Sequence, residues 1–431
     1  MKRNSRNTRG KRNRRIEKQK DKNFDKKTIS SLLILIFALI VMFIIVVVFN
    51  HFYDSSQNTF DVSTNEDTDN TIIAEEVPTP EPEKTDTTFS ICAIGDVMCH
   101  NTQYFDAYQK ETDTYDFGYV FDEISYYTKI ADITVGSLET SFAGKERGYS
   151  NYPTFNSPDD LAYALKDIGV DVLSTAGNHC LDMGFSGLSR TIDVLNDADI
   201  AHLGTYKTQE EQDKILFKYV KGVKLAFINY TYGTNGIPVP NGKEFCVNLI
   251  DKDLITKHIQ TAKSQNADVI IACMHWGSEY RTTANNEQIE LADFLFQNGV
   301  DIILGNHPHV LEQMEKRTVV LEDGSTKDGF VIYALGNFIC DQRYENTRNS
   351  IILNLTVTKH SDGSVSVDHA KYTPIYMYND TKKSIRKMKV LDINNTLLAY
   401  ESGMDTSIGE TNYNFLNVQL DKIKKIVGEE F

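Results

Sequence analysis

The sequence predicts an α/β fold in which helices flank a largely buried sheet. Short apolar runs alternate between residues 89 and 338 with segments of helical period, and this alternation is typical of α/β domains. Most of these runs end in a polar residue or a turn glycine, as expected where strand ends border a crevice. After residue 350, two strand-like runs joined by Asp362–Gly363 predict a hairpin that completes the sheet.

Three segments of different composition precede this region. Residues 1–28 form a basic tail with 13 Lys/Arg against 3 Asp/Glu in the first 27 positions, and since the chain sums to −15, residues 28–431 carry −25. Residues 29–50 have the length and apolarity of a membrane-spanning helix. The basic flank predicts a single-pass protein of the cell membrane, with its N-terminus cytoplasmic and its main domain extracytoplasmic. Residues 51–87 are acidic and contain prolines, and predict a solvated linker.

A cleaved signal peptide is the alternative interpretation of the apolar segment. Its apolar core would be shorter, and a small-residue cleavage site would follow it. The sequence NHFYDSSQ after Phe49 contains no such site. We therefore favour an uncleaved signal anchor.

The individual elements follow from the apolar pattern. Strands are predicted at residues 89–97, 131–139, 170–178, 224–232, 268–276, 300–307 and 330–338, and helices at residues 157–169, 185–198 and 285–299. Ser157 and Pro158 suit the N-cap and first turn of the first helix. We predict one domain over residues 88–380 and leave the order of the C-terminal extension, residues 381–431, uncertain. The six cysteines are expected to be buried small apolar residues.

Potential metal ligands follow strand after strand. They are Asp96, Glu139, Asn178, His275, His307 and His309. Each alone has a structural explanation, such as a turn cap or a core histidine, but their recurrence at strand ends predicts convergence on one small volume. Carboxylate, amide and imidazole donors suit one or two divalent ions, with Mn, Fe or Zn favoured. Pro308 is expected to keep the chain extended, so that His307 and His309 point the same way.

Six motifs in these segments resemble one known family. GDVM (95–98), GSLET (136–140), GNHCLDMGFSGL (177–188), HWGSEY (275–280), GNHPHV (305–310) and YALGNFICDQ (333–342) occur in the order and rough spacing of the CapA family. That family comprises capsule proteins of poly-γ-glutamate synthesis, similar to calcineurin-type metallophosphoesterases. The resemblance spans roughly residues 89–345. It implies a four-layer α/β/β/α metallophosphoesterase-like sandwich, here preceded by the predicted transmembrane helix.

The resemblance also implies roles for individual residues. The six strand-end residues match the metal ligands, and His179 with Asp182 matches the catalytic positions. Glu279, Arg281 and Asn337, in or beside the later motifs, are assigned to the substrate. One departure concerns the first motif, where Asp96-Val97-Met98 stands in place of Asp-x-His. A thioether is a poor ligand for such an ion, so one metal subsite is short of a ligand.

Two functions remain open at this point. The first is a metal-dependent hydrolase of phosphoesterase type, acting on an anionic polymer or a phosphate-containing substrate. The alternative is a non-catalytic accessory subunit of a capsule machine, with the membrane and its synthase or transporter subunits as partners. A glycosidase with paired carboxylates leaves the other donors unexplained, and no nucleic-acid partner is expected.

Overall charge is unfavourable for a polyanionic ligand. An acidic protein repels such a ligand, so binding requires the metal or a local basic patch. Arg281, Arg343 and Arg348 are candidates for such a patch, although each alone also suits a solvated surface.

Overall fold

The computed structural model describes residues 85–380, 382–384 and 387–431. The strands are β1 (Thr87–Val97), β2 (Tyr108–Gln109), β3 (Thr114–Tyr115), β4 (Ile133–Leu138), β5 (Val172–Ser174), β6 (Ala201–Leu203), β7 (Leu216–Val220), β8 (Val223–Thr231), β9 (Val269–His275), β10 (Ile302–Asn306), β11 (Met314–Val320), β12 (Thr326–Ile332), β13 (Asn337–Ile339), β14 (Asn349–Lys359), β15 (Val365–Asn379) and β16 (Met388–Asp392). The α-helices are α1 (Asn101–Ala107), α2 (Ser125–Lys129), α3 (Asp160–Asp167), α4 (Gly184–Asp197), α5 (Gln209–Gln212), α6 (Lys252–Ser264), α7 (Asn286–Asn298), α8 (Ile393–Glu401) and α9 (Gly409–Val427).

Two large sheets organise these elements. The first has eight strands in the order β16-β15-β14-β1-β4-β5-β6, with β13 also paired to β1, and the second has six in the order β11-β12-β10-β9-β8-β7. Within the first sheet β1, β4, β5 and β6 are parallel, and within the second β8, β9, β10 and β12 are parallel. The carboxyl ends of the parallel strands therefore share one edge in each sheet, where polar strand-end residues collect.

The main core lies between the two sheets. Ile91 and Ala93 of β1 belong to the same buried cluster as Leu225 and Phe227 of β8. The alternate residues of β1, Cys92 among them, belong to a second buried cluster that includes the apolar faces of α3 and α4. This alternation follows from the two-residue period of a strand.

Helices α6 and α7 cover the outer face of the second sheet. Ile259 of α6 and Leu295 of α7 are buried in one cluster with Ile228 of β8 and Ile270 of β9. Both sheets are thus covered on their outer faces by helices, and the predicted α/β class is confirmed for the described residues.

Two predicted elements differ from the structure. The helix predicted at residues 157–169 is α3, and it begins at Asp160. Its N-cap is Asp159, which forms no side-chain cap, so the predicted N-cap role of Ser157 is wrong. The run 330–338 is not one strand, because the chain leaves β12 of the second sheet and enters β13 of the first. Gly336, between them, has a φ of 70°, which interrupts an extended backbone.

The C-terminal segment, whose order the sequence left unassigned, extends the first sheet. Strand β16 pairs antiparallel with β15, and helices α8 and α9 follow it. Leu416, Ile423 and Val427 of α9 are buried in the main core. The predicted hairpin is confirmed, since β14 and β15 pair antiparallel on either side of Asp362–Gly363.

Among the described residues, no helix combines the length and the apolarity needed to cross a bilayer. The predicted span at residues 29–50, the basic tail and nearly all of the linker lie outside the described residues. The predicted location is corrected accordingly: the described part of the chain shows no membrane anchor, and we do not retain a single-pass location in the cell membrane.

The six cysteines are all free. Five of them are buried and Cys180 is partly exposed. The expectation of small buried apolar residues is therefore confirmed for five.

Candidate metal centre

The first sheet supplies three of the predicted ligands. Asp96 is the penultimate residue of β1, and Glu139 directly follows β4. Asn178 lies in the loop between β5 and α4. All three are buried. Because β1, β4 and β5 are parallel neighbours, their ends bring these side chains to one edge of the sheet.

The second sheet supplies three histidines. His275 is the last residue of β9, and His307 and His309 follow β10. The ring centroids of His275 and His307 are 4.9 Å apart, and those of His307 and His309 are 5.9 Å apart. The expected extended conformation around Pro308 is wrong, because His307 and His309 have φ of 101° and 60°. Positive φ is costly for such residues, and sites that hold it are often functional.

One segment, residues 333–336, brings the two strand ends together. Leu335 N donates to Gly305 O at 3.0 Å, and Asp96 N donates to Gly336 O at 2.9 Å. A Cβ at Gly95 would lie 1.9 Å from Gly336 O, and a Cβ at Gly305 would lie 1.9 Å from Tyr333 O. Glycine at these positions therefore permits the close backbone approach that places Asp96 beside His307, whose backbone N–H donates to Asp96 Oδ2 at 3.1 Å.

Glu139 lies between histidines of the second sheet. Its Oε1 is 3.6 Å from His275 Nε2, and its Oε2 is 3.6 Å from His309 Nδ1. Asn178 Oδ1 is 2.9 Å from His275 Nε2, and Asp96 Oδ2 is 3.9 Å from His309 Nδ1. Donors that bind one ion at about 2.0–2.2 Å are separated by roughly 3–4 Å. The observed separations therefore suit donors of a shared metal site.

Three groups of side chains have donor atoms within 4.8 Å of one another. They are Glu139–His275–His307, Asp96–Glu139–His309 and Glu279–His307–His309. The first two share Glu139, so two adjacent ion positions can be built around one carboxylate. Five of the six predicted ligands belong to these groups, and Asn178 joins them through His275.

The buried carboxylates of the cluster lack a compensating positive charge. Burial, then the neighbouring Glu139 carboxylate, raises the pKa of Asp96 to about 7. Burial likewise raises the pKa of Glu139 to about 8. Neither carboxylate oxygen of Glu139 accepts a hydrogen bond from a described residue. Glu139 thus lacks a donor that would stabilise its charge, and Asp96 has one at Oδ2, the backbone N–H of His307, but none at Oδ1.

The histidines do not supply positive charge. Burial lowers the pKa of His275 to about 4 and that of His309 to about 3. Burial also holds the pKa of His307 far below its ordinary value. Neutral imidazoles are metal ligands, and a divalent cation would offset the carboxylates. The donor set and its electrostatics therefore fit a metal ion.

His179 and Asp182 form a second unit at the edge of the cluster. His179 Nδ1 lies 2.8 Å from Asp182 Oδ2, which also accepts from the backbone N–H of Phe155 at 2.6 Å. Burial disfavours charge on His179, but the hydrogen bond to Asp182 and the nearby Glu139 together raise its pKa above the ordinary value. The imidazole is thus oriented and biased towards its protonated form.

The residues assigned to the substrate occupy three different environments. Glu279 is exposed and belongs to a metal-ligand group with His307 and His309. Asn337 is buried, with its Oδ1 3.1 Å from His309 Nδ1 and its Nδ2 donating to the backbone O of His309 and of Thr347. These contacts allow Asn337 to orient the His309 imidazole, and its assignment to the substrate stays a prediction. The exposed Arg281 side chain forms no hydrogen bond or ion pair with the described residues.

Two neighbours of the cluster were not identified from the sequence. The Tyr232 ring lies 4.4 Å from that of His307, and it stacks on His275 at 6.5 Å. Asn235 Oδ1 accepts from Asn178 Nδ2 at 3.1 Å, and its Nδ2 lies 3.3 Å from His179 Nε2. Both residues follow β8, a strand end like those that carry the ligands, but their contacts with the cluster depend on tertiary packing.

One departure from the family pattern has a visible consequence. Met98 is buried with Phe155 and Cys340 in a small apolar cluster, so an apolar side chain packs at the position where the Asp-x-His motif has a ligand.

The family model described as "Bacterial capsule synthesis protein PGA_cap" matches residues 90–342, more than half of the chain. The chain belongs to this family. The resemblance based on the six motifs is thereby confirmed, and all six predicted ligands lie within the matched capsule-synthesis region.

Two named proteins are similar in sequence to this chain. "Capsule biosynthesis protein CapA" of Bacillus anthracis is 28% identical over 270 residues, covering 60% of this chain and 62% of the relative. "PGA biosynthesis protein CapA" of Bacillus subtilis (strain 168) is 26% identical over 313 residues, covering 70% of this chain and 75% of the relative. The alignment thus spans less than two thirds of the Bacillus anthracis protein.

Solved structures with related folds are more distant. A Haemophilus influenzae NAD nucleotidase has a TM-score of 0.44 and 14% identity, covering 79% of this chain and 61% of that one. A putative 5'-nucleotidase from Staphylococcus aureus has a TM-score of 0.42 and 14% identity, covering 69% and 56%. Similarities of this size assign no activity to the chain.

Proposed function

We propose that this capsule-synthesis family member is a metal-dependent hydrolase of phosphoesterase type. The observation that supports the proposal most directly is the buried set of carboxylates and neutral imidazoles assembled from both sheets. Its substrate would be a phosphate ester or a bond of an anionic envelope polymer. One or two ions of Mn, Fe or Zn suit the mixed oxygen and nitrogen donors.

The proposed chemistry divides between the ion and this chain's own residues. A divalent ion in such a site lowers the pKa of a bound water and polarises the oxygen of the bond to be cleaved. The ion would be held by the six predicted ligands, which are Asp96, Glu139, Asn178, His275, His307 and His309. His179, held by Asp182 at Nδ1, would donate a proton from Nε2 to the leaving group.

A second function is favoured by one specific observation. Met98 packs into an apolar cluster at the place where metallophosphoesterases carry a histidine, so one subsite lacks a ligand. A site that binds metal without turnover would suit an accessory subunit of a polymer synthase or export complex.

The deciding experiment is metal analysis of the full chain purified without chelator, with phosphomonoester and phosphodiester model substrates assayed in parallel. We expect about one or two bound ions per chain and metal-dependent turnover. His307→Ala should lose most of the metal, because it removes a donor shared by two of the three ligand groups. His369→Ala, an exposed histidine of β15, should retain it.

The possible outcomes separate the two functions. Bound metal without turnover of any model ester would favour the accessory role. Unchanged metal content in His307→Ala, with the variant folded, would contradict the ligand assignment itself.

A further inference from the structure

A surface cavity of about 530 Å³ lies between the loop that follows β13 and helix α9. Its lining includes Arg343, Tyr344, Arg348, Tyr376, Phe415 and Lys422. Every lining residue comes after position 342, where the family match ends. The cavity therefore belongs to the part of the domain that the family match does not describe.

The charged residues around the cavity are mostly cationic. Arg343, Arg348 and Lys422 line it with a single anion, Glu345, which forms an ion pair with Lys422 at 2.9 Å. The Arg343 side chain is 76% exposed and lies 3.6 Å from Asp341, so most of its guanidinium faces solvent. A local excess of positive charge contrasts with the net charge of −15 of the whole chain. Such a patch attracts anions that the rest of the surface repels.

Arg348 is fixed in orientation at the cavity wall. Its Nη2 forms an ion pair with Asp341. Its Nε donates to the backbone O of Gln342 at 3.2 Å. Two anchors from one loop leave this guanidinium little rotational freedom. Its remaining N–H donors are therefore preorganised and can bind a carboxylate or phosphate at lower entropic cost.

Aromatic surface accompanies the charges. The Tyr376 and Phe415 rings meet edge to face with centroids 5.4 Å apart. Phe415 is 42% exposed and Tyr344 is 66% exposed. Cationic groups beside exposed rings suit a ligand whose anionic groups are carried on an apolar chain.

The loop that follows β13 connects the cavity with the metal centre. Tyr344 packs on Tyr280 with ring centroids 4.6 Å apart, and Tyr280 lies 6.1 Å from the ring of His309. Asn337, which contacts His309, donates to Gln342 Oε1 at 3.0 Å. The loop that lines the cavity therefore also supports the histidine side of the cluster.

We propose that this cavity is a binding subsite for an organic chain bearing carboxylate or phosphate groups, held by Arg343, Arg348 and Lys422 beside the metal centre. The inference deepens the proposed function by naming a substrate class, and it rests on that function only for the claim that the bound chain is also the substrate.

Calorimetric titration of the full chain tests the subsite directly. The two probes are oligo-γ-glutamate for carboxylates and glycerol 3-phosphate for phosphate. Arg343→Gln/Lys422→Gln should raise the Kd of the recognised probe about tenfold, because two charge-assisted contacts are lost. Lys424→Gln/Lys425→Gln removes the same charge from exposed positions of the same helix and should leave the Kd unchanged.

The same titrations on a His307→Ala chain keep this test separate from the proposed function. Binding that persists there, and remains sensitive to Arg343→Gln/Lys422→Gln, supports the subsite even if the protein hydrolyses nothing. If Arg343→Gln/Lys422→Gln raises the Kd of only one of the two probes, that probe identifies the anionic group that the cavity binds. If neither probe binds, or both double variants change the Kd equally, the proposal is wrong.

Discussion

Glu139 occupies the point where the two sheets meet. Its carboxylate faces His275 on one side and His309 on the other, and no described residue donates a hydrogen bond to it. A buried, unpaired carboxylate is costly unless a cation compensates it. At this scale the strongest indication of a metal is therefore the lack of any protein group that stabilises the Glu139 charge.

Asp182 is the anionic hydrogen-bond partner of His179. Replacement of Asp182 by asparagine removes the anion from His179 Nδ1. We expect Asp182→Asn to lower kcat for the model ester about 10- to 100-fold, because the imidazole loses both its bias towards protonation and its fixed tautomer. Metal content, measured in parallel, should not change.

Asp197→Asn, at the exposed C-terminal end of α4, is the matched control and should retain full activity. An unaltered kcat in Asp182→Asn would remove His179 from the proposed proton transfer.

Helix α9, although it lies near the end of the chain, packs into the main core of the domain. Three of its apolar residues belong to the core between the sheets. The segment after it is also held, since Ala370 N donates to Phe431 O at 3.0 Å and the reverse bond measures 3.3 Å. The helix thus supports the first sheet and at the same time forms one wall of the basic cavity.

Ile423→Ala tests this structural role. Ile423 is fully buried, so its truncation should lower the free energy of unfolding by about 2–4 kcal/mol through lost burial and the resulting cavity. Urea denaturation of the full chain measures this change. Val418→Ala, at a position 52% exposed on the same helix, should change it by less than about 0.5 kcal/mol. Equal effects would mean that α9 is not docked in the core.

Proton binding at the metal centre affects the stability of the whole molecule. The pKa values of Asp96 and Glu139, about 7 and about 8, lie above those of ordinary carboxyl groups. Between roughly pH 4 and pH 8 these two carboxyl groups therefore bind more protons in the folded chain without metal than in the unfolded chain. Below about pH 6.5 the buried histidines, whose pKa values are lowered, have the opposite effect, so the carboxyl groups dominate only above that pH. Stability falls with rising pH wherever the folded state binds more protons.

We therefore expect the chelator-treated protein to unfold at lower temperature at pH 8 than at pH 7, a window above the ordinary pKa of histidine. A bound divalent cation replaces the protons as the compensating charge, so saturating metal should reduce this difference. Thermal unfolding followed by circular dichroism measures both states. Asp96→Asn/Glu139→Gln should lose most of the pH dependence, and its persistence in that variant would assign the effect to other groups.

The fold class and the residues that form the candidate metal site could largely be predicted from the sequence. Local periodicity located the seven strand regions, apart from the break between β12 and β13, because burial on both faces leaves continuous apolar runs. The polar residues after β1, β4, β9 and β10 were recognisable because parallel strands end at a common edge. All six predicted ligands lie at the meeting edges of the two sheets.

What only the tertiary structure decided concerns contacts between segments distant in the chain. Which surfaces face each other decides three features: the contact of Asn337 with His309, the places of Tyr232 and Asn235, and the docking of α9. Local pattern carries no such information. The positive φ of His307 and of His309 likewise could not be predicted from local pattern, which led us to expect an extended chain around Pro308. The sequence by itself determined which groups stand at the strand ends, and long-range packing decided how they face one another, because burial and charge at this site come from both sheets together.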